Sequence, residues 1–525
     1  MKKIYLSLLL LVLFAVSCDL QLQENPNALS PDQADPDFVL NSLEFGLNEF
    51  FAEVTDYGME VTRLVAMQPR SSEYATAWSG VDFDDLWEIA YGGLIADSRN
   101  LVVLSEANNL TVHSGIAKVI EAYTIITLVD MFGDVPYSQA LDATNFNPAP
   151  DSGAEIYSAA EMLLDESIAF FAMTPSRLPA NDLFYGGDAG KWTKLANTLK
   201  LKMYTNMRLV DPSVKAKIDA IAGSVILDPA DDWEFPFSTV TSTTPSSVHP
   251  YFQDNYGAAA DYQSNYFMNE LIQNNDPRLR YYFYRQVSEN TTDVNEQSCV
   301  VESAPPHYVA VGAVYCNPGN GYWGRDHIDT DGIPPDNQLR TVFGVYPVGG
   351  LFDADQAASA VATDGLAGAG IHPLMQSSFV NYMLAECAAT IGTAGDARAY
   401  LSNAVQQSMD KVLSMGASQA VDSLVSSPTV YLEGVLSDYD AAADKTDVIN
   451  RQYYYSLFGN GLEAYNNYRR TGQPDNAQPA LNPLAGPFIR SFALPSASVD
   501  RNANMNIKPV TVQVFWDNNP ANFIN

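Results

Sequence analysis

Positive charge is scarce in these 525 residues: 28 Lys and Arg stand against 62 Asp and Glu, a formal net charge of −34. Phosphate backbones are held by Lys and Arg, so this balance excludes nucleic acid as a partner. It also excludes docking on anionic lipid through a basic patch. Cysteine is scarce, with four residues, and so is histidine, with five at 113, 249, 307, 327 and 372. No two of these histidines have metal-ligand spacing on one helix. There is no Gly-x-Ser-x-Gly elbow and no P-loop. With so many carboxylates, adjacent pairs such as Asp84-Asp85 or Asp231-Asp232 arise by chance, and hydrolysis of a glycosidic bond needs two at a set separation across a cleft. The expected chemistry is binding rather than catalysis. Past the first residues, no apolar run is long enough to span a bilayer.

What is present begins at the amino end. Lys2 and Lys3 precede an apolar run, Ile4 to Val16, of signal-peptide length. It closes in Ala15-Val16-Ser17-Cys18, the pattern of a lipobox, in which a peptidase cuts ahead of Cys18 and the cysteine is acylated. Several acyl chains anchor a protein firmly without a membrane helix. Residues 1–17 are thus assigned as a lipoprotein signal peptide and 18–31, polar and proline-containing, as a tether. Export permits disulfides, and Cys299 and Cys316 bracket a short loop-like stretch that a bridge would close. Cys387 lies in a helical pattern and is expected as a buried thiol.

The hydrophobic fraction, 47%, is ample for a large core. Helical periodicity marks Asp37 to Val65, Asp84 to Leu104, Ser114 to Phe132, Ala154 to Met173 and Lys191 to Leu209. From about 225 to 372 the periodicity fades, and Pro, Gly, Asn, Asp, Ser and Tyr accumulate; one helix, near Tyr266 to Asn275, interrupts. Helices return at Pro373 to Ile391, Ala397 to Leu413 and Val448 to Arg470. The predicted organisation is a helical-repeat part over 32–224, a loop-rich insert over 225–372, a second helical-repeat part over 373–472 and an irregular end over 473–525. Long irregular stretches in compact proteins are usually functional.

Four segments, in order, carry a likeness. Ala122-Tyr123 runs through Leu128-Val129-Asp130-Met131-Phe132-Gly133-Asp134-Val135-Pro136-Tyr137. Lys191-Trp192-Thr193-Lys194-Leu195-Ala196-Asn197-Thr198-Leu199-Lys200-Leu201 follows, then Asn275-Asp276-Pro277-Arg278-Leu279. The last is Asn460-Gly461-Leu462-Glu463-Ala464-Tyr465 with Tyr468-Arg469-Arg470-Thr471-Gly472. Together with the lipobox they resemble the SusD/RagB family of nutrient-binding outer-membrane lipoproteins of Bacteroidetes. Tyr465 stands where that family usually has Trp, and Leu494-Pro495-Ser496-Ala497-Ser498 lacks its common Glu. The resemblance implies a mainly α fold, with tetratricopeptide-type helix pairs supporting a loop-rich ligand-binding part. It implies a lipid-anchored position on the outer membrane facing the cell exterior, and a SusC-like TonB-dependent transporter as partner, covered as by a hinged lid. No enzymatic activity and no cofactor are expected.

A sugar ring offers an apolar face that stacks on Trp or Tyr, and a rim of hydroxyls for Asn, Asp, Gln or Arg. Of the six tryptophans, Trp87 and Trp192 have core spacing, Trp516 is assigned to packing near the C-terminus, and Trp233 is ambiguous. Trp78, in Tyr74-Ala75-Thr76-Ala77-Trp78-Ser79-Gly80, and Trp323, in Gly321-Tyr322-Trp323-Gly324-Arg325-Asp326, have small neighbours that suit exposed platforms. They are the predicted ligand contacts, with Tyr322, Arg325, Tyr74 and Asp82 as companions. Arg70 and Arg325 are the exceptional cations near them, so a neutral glycan such as a β-glucan is expected. Oligopeptide capture is the alternative; a glycan-cleaving enzyme and a purely structural adaptor are more distant ones. Asp326 to Gly332 has the alternating oxygens of a Ca²⁺ loop without the closing Glu. Asp329 and Asp331 are candidates for a structural Ca²⁺, against which stands a plain polar turn.

Overall fold

A computed structural model describes residues 34–67, 73–240, 247–256, 262–292, 306–313, 317–329, 339–521 and 523–524. Cys18 and the whole of 1–31, Arg70, Cys299, Cys316 and Asp331 lie outside the described residues. The chain is mostly helical. Its principal helices are α1 (Pro36–Val61), α2 (Ala96–Ala107), α3 (Thr111–Phe132), α4 (Gly153–Phe171), α5 (Ala189–Met207), α6 (Val214–Ile221), α7 (Asn265–Gln273), α8 (Ser377–Ile391), α9 (Ala397–Ser414), α10 (Pro428–Ala441), α11 (Lys445–Ser456) and α12 (Gly461–Thr471). Each of α2 to α6 packs on the next, as does each of α8 to α12.

Local chemistry sets the ends. Asp35 accepts from the N–H of Asp37 and Pro36 occupies the first turn of α1. Ser152 and Glu155 cap α4 reciprocally. Asn460 accepts from the N–H of Glu463 to begin α12, which Gly472 ends in the left-handed region at φ 72°. The sequence predicts one helix over 448–470; the structure divides it, because Gly459 turns at φ 96° and Asn460 starts a new helix. Likewise Pro373 belongs to a strand rather than to α8. Helix α10 is not marked by periodicity because only Tyr431, Val435 and Tyr439 along it are buried.

Two antiparallel strand pairs lie in the loop-rich stretch: β1 (Trp233–Pro236) with β4 (Ile371–Met375), and β2 (Phe283–Tyr284) with β3 (Val342–Phe343). Pairing Trp233 with Met375 and Phe235 with His372 ties the two ends of that stretch together at its base. Such short pairs are not stable alone and rest on the core around them; Phe343 stacks on Tyr251 at 5.2 Å and on Phe458 at 5.3 Å.

The two helical halves meet through α5 against α8 and α1 against α12. The second contact is a backbone crossing. A methyl group added at Gly461 would overlap the carbonyl oxygen of Thr55, and one added at Gly58 would overlap that of Gly461. Nearly every residue of α3 is buried, so it is the central helix.

Buried charge stitches this centre. Asp130, fully buried, accepts from Tyr157 Oη (2.5 Å), Lys202 Nζ (2.6 Å), Asn466 Nδ2 (2.8 Å) and Trp516 Nε1 (3.0 Å). Lys202 also lies 3.0 Å from Glu463. Burial opposes its charge, but Asp130 and Glu463 outweigh that and hold the ammonium above its usual range. Nearby, Glu386 receives Arg470 at 2.8 and 2.9 Å and Arg208 at 2.8 Å. Arg278 of the Asp-Pro-Arg-Leu turn clasps Asp276 (2.9 and 2.6 Å) and donates to Ser408 and Ser456, fastening that turn to α9 and α11. Tyr465 is buried, donates to the carbonyl of Ile489 and lies under Arg469 at 3.6 Å. Cys387 is a buried free thiol.

Candidate functional site

The short helix Tyr74–Ala77 and the helical turn Gly80–Phe83 frame Trp78. Of the six tryptophans, Trp78 is the one that retains more than a trace of exposure; Trp87, Trp192, Trp233, Trp323 and Trp516 are buried. Its ring stands edge-on to Tyr57 (5.7 Å, 87°) and to Phe492 (5.6 Å). Tyr57 Oη donates to the carbonyl of Asp82 at 2.7 Å, and the Asp82 carboxylate accepts from Ser79 N (2.8 Å) and Oγ (2.9 Å). Asp82 therefore braces the turn that carries Trp78.

Tyr74 lies beneath this shelf, 2% exposed, and its hydroxyl shares a 2.6 Å hydrogen bond with His327 Nε2. Burial pushes the phenol up to about 12 against the pull of Arg63. Burial, then the charge of Arg63, keeps the His327 imidazole well below its usual range and hence neutral. Tyr74 is therefore corrected from exposed companion to support: its polar tip is spent on His327, 253 residues away.

Trp323 is corrected in the same way. It is 7% exposed, packed with Ala66 and Tyr262, and its indole N–H donates to the carbonyl of Leu339 at 3.1 Å. The small neighbours that suggest an open loop instead admit close backbone approach: a side chain at Gly324 would overlap the carbonyl of Gln263. Beside it, the Tyr262 ring carries two guanidiniums, Arg325 at 4.0 Å and Arg340 at 3.8 Å from its centroid, and Arg325 donates to Tyr262 Oη at 3.1 Å. The Arg325 guanidinium is depressed to about 10 by burial, with Asp329 opposing and Arg340 adding to the shift. Tyr262, Arg340 and His327 were not singled out by sequence, because what unites them is contact across large separations rather than local spacing.

Tyr322 faces elsewhere. It is 4% exposed, donates to Asp353 at 3.1 Å and lies under Arg285 at 4.7 Å. Successive residues of an extended segment alternate sides, which parts it from Trp323. The predicted contacts thus divide: Trp78, Tyr74 and Asp82 in one stretch of chain, Trp323 and Arg325 gathered on Tyr262, and Tyr322 apart. In the suggested Ca²⁺ loop, Asp326 turns inward and accepts from Asn265, Tyr308 and Gln478. Asp329 lies 3.5 Å from His307. Among the described residues no cluster of three or more His, Cys, Asp and Glu is placed to hold a metal.

A family model, SusD-like, described as starch-binding and associating with the outer membrane, matches residues 27–303 and 342–488. No curated protein matches. Among solved structures, a SusD/RagB family protein from Bacteroides thetaiotaomicron is similar with a TM-score of 0.66 at 19% identity, covering 93% of this chain and 100% of that one. A chitin-binding SusD homologue from Flavobacterium johnsoniae gives 0.65 at 17%, covering 92% and 100%. A SusD homologue from Bacteroides fragilis gives 0.64 at 18%, covering 92% and 99%. At these identities the likeness concerns the fold.

Proposed function

The chain belongs to the SusD-like family, described as starch-binding and associating with the outer membrane, and on that premise we propose that it captures a neutral glycan at the cell exterior for import. In this reading Cys18 carries the lipid anchor, a SusC-like TonB-dependent transporter receives the cargo, and the glycan is held without being cut. The observation that carries the reading is Trp78, a ring left half-buried on a turn braced by Asp82 and flanked by Tyr57 and Phe492. An apolar sugar face laid on that ring would lose water contact at about 25 cal/mol per Å².

Affinity electrophoresis against starch, chitin and mixed-linkage β-glucan tests this. One of these polysaccharides should retard the protein, and Trp78→Ala should weaken retention by about 1–3 kcal/mol. A Trp78→Ala protein retarded as strongly as wild type would refute the shelf. New reducing ends on incubation with the retained polysaccharide would overturn binding without cleavage. Cys18→Ser should move the protein from the membrane fraction to the soluble fraction.

A further inference from the structure

Tyr322 leads to a different place. It stands in the wall of a cleft of about 580 Å³, where the turn after α7 and residues 285–290 approach Leu424 and Ser426. A second hollow of about 280 Å³ continues along α10 and shares Asn275 and Ser426 with the first. Ligand sites commonly occupy ~300–1,000 Å³, and two hollows with a common wall form a groove suited to an extended ligand.

The charges of this wall are already matched. Arg285 pairs with Asp353 at 2.5 Å and with Asp355; Arg280 lies 2.8 Å from Asp355 and 3.7 Å from Asp353. Asp276 is held by Arg278 at 2.6 Å. Tyr322 is braced by Asp353 and overlaid by Arg285, so its ring is no platform. What the groove offers is mainly amide and hydroxyl: Asn275, Asn320, Ser288 and Ser426 are exposed along it, with two exposed carboxylates, Glu289 and Asp438. Asn275 and Asn320 are set in the left-handed region at φ 51° and 56°, a conformation Asn tolerates and most side chains do not. Amides and hydroxyls both donate and accept. An anionic ligand would meet Glu289 and Asp438 and would have to break the existing pairs to reach a guanidinium, whereas a ligand of many hydroxyls finds amide and hydroxyl partners of both kinds.

We propose that this groove is a second binding site, taking a short uncharged oligosaccharide through hydrogen bonds rather than ring stacking. The kind of cargo rests on the glycan reading above; the location does not, since neither Trp78 nor Tyr74 lines the groove.

Hydrogen–deuterium exchange on the full chain with maltohexaose and with N-acetylchitohexaose, paired with calorimetry, tests it. One of these sugars should protect peptides spanning 272–290 and 420–430, and binding there should persist in Trp78→Ala. Ser426→Trp, a substitution at an exposed position common to both hollows, should abolish this protection, and the milder Asn320→Ala should weaken it about five- to tenfold. Protection confined to peptides around 74–82 would overturn the groove and leave the shelf standing, whereas wild-type affinity in the Trp78→Ala, Ser426→Trp double variant would overturn both. Failure of wild type to bind either sugar anywhere would overturn both.

Discussion

The junction around Asp130 and the shelf around Trp78 put the same kinds of residue to opposite uses. At the junction, Tyr157, Lys202, Asn466 and Trp516 converge on one carboxylate from three helices and the C-terminal segment, all out of water. A buried charge with so many donors tolerates one arrangement, because losing a partner leaves desolvated polarity behind. At the shelf, Tyr74 is anchored by its hydroxyl, but Trp78 shares its ring with solvent and Asp82 is satisfied by its own turn. Changes there cost little framework. The residues that carry the family likeness, Asp130, Arg278, Gly461, Arg469 and Arg470 among them, belong to the first kind of place.

Substitutions can break or sharpen that contrast. The largest effect is expected at the junction: Asp130→Ala leaves Lys202 with Glu463 alone, deprives Tyr157, Asn466 and Trp516 of their buried acceptor, and should lower unfolding free energy by about 3–5 kcal/mol in urea titrations. Gly461→Ala comes next, since its methyl has no room against Thr55; a loss of about 1–3 kcal/mol, or failure to express as folded protein, is expected. Glu44 gives a smaller, pH-dependent effect. It accepts from the N–H of Leu183 at 3.0 Å, and burial, then the charge of Asp182, pushes its carboxyl up to about 10. The folded protein therefore holds a proton that the unfolded chain releases above a pKa of 4.5, so stability from this group falls as pH rises between 4.5 and about 10. Glu44→Gln should lose less melting temperature than wild type from about pH 6 to about pH 9. Trp78→Ala should disturb folding least, by under about 2 kcal/mol, and show itself in ligand retention instead.

Much of the frame was legible in the chain. Leu40, Leu43, Leu47 and Phe51 announce α1 by spacing, and Ile116, Val119, Ile120, Tyr123 and Ile126 do the same for α3. Trp192 has core spacing, and its indole N–H does close inside on Asp182 at 2.7 Å. The site was less legible. Glycines beside Trp323 suggest openness, but the same glycines permit backbone contact that seals the ring in. Tyr262 gathers Arg325 and Arg340 across 63 and 78 positions of sequence, and no local period records such a meeting. The groove beside Tyr322 is invisible for the same reason: its walls come from residues near 275, 320 and 426.

The glycine crossing of α1 on α12 also has a mechanical meaning. Force entering through the amino end of α1 passes directly into the helix that bears Asn466 and Arg470. With the anchor proposed at Cys18, load would therefore reach both helical halves through this one crossing.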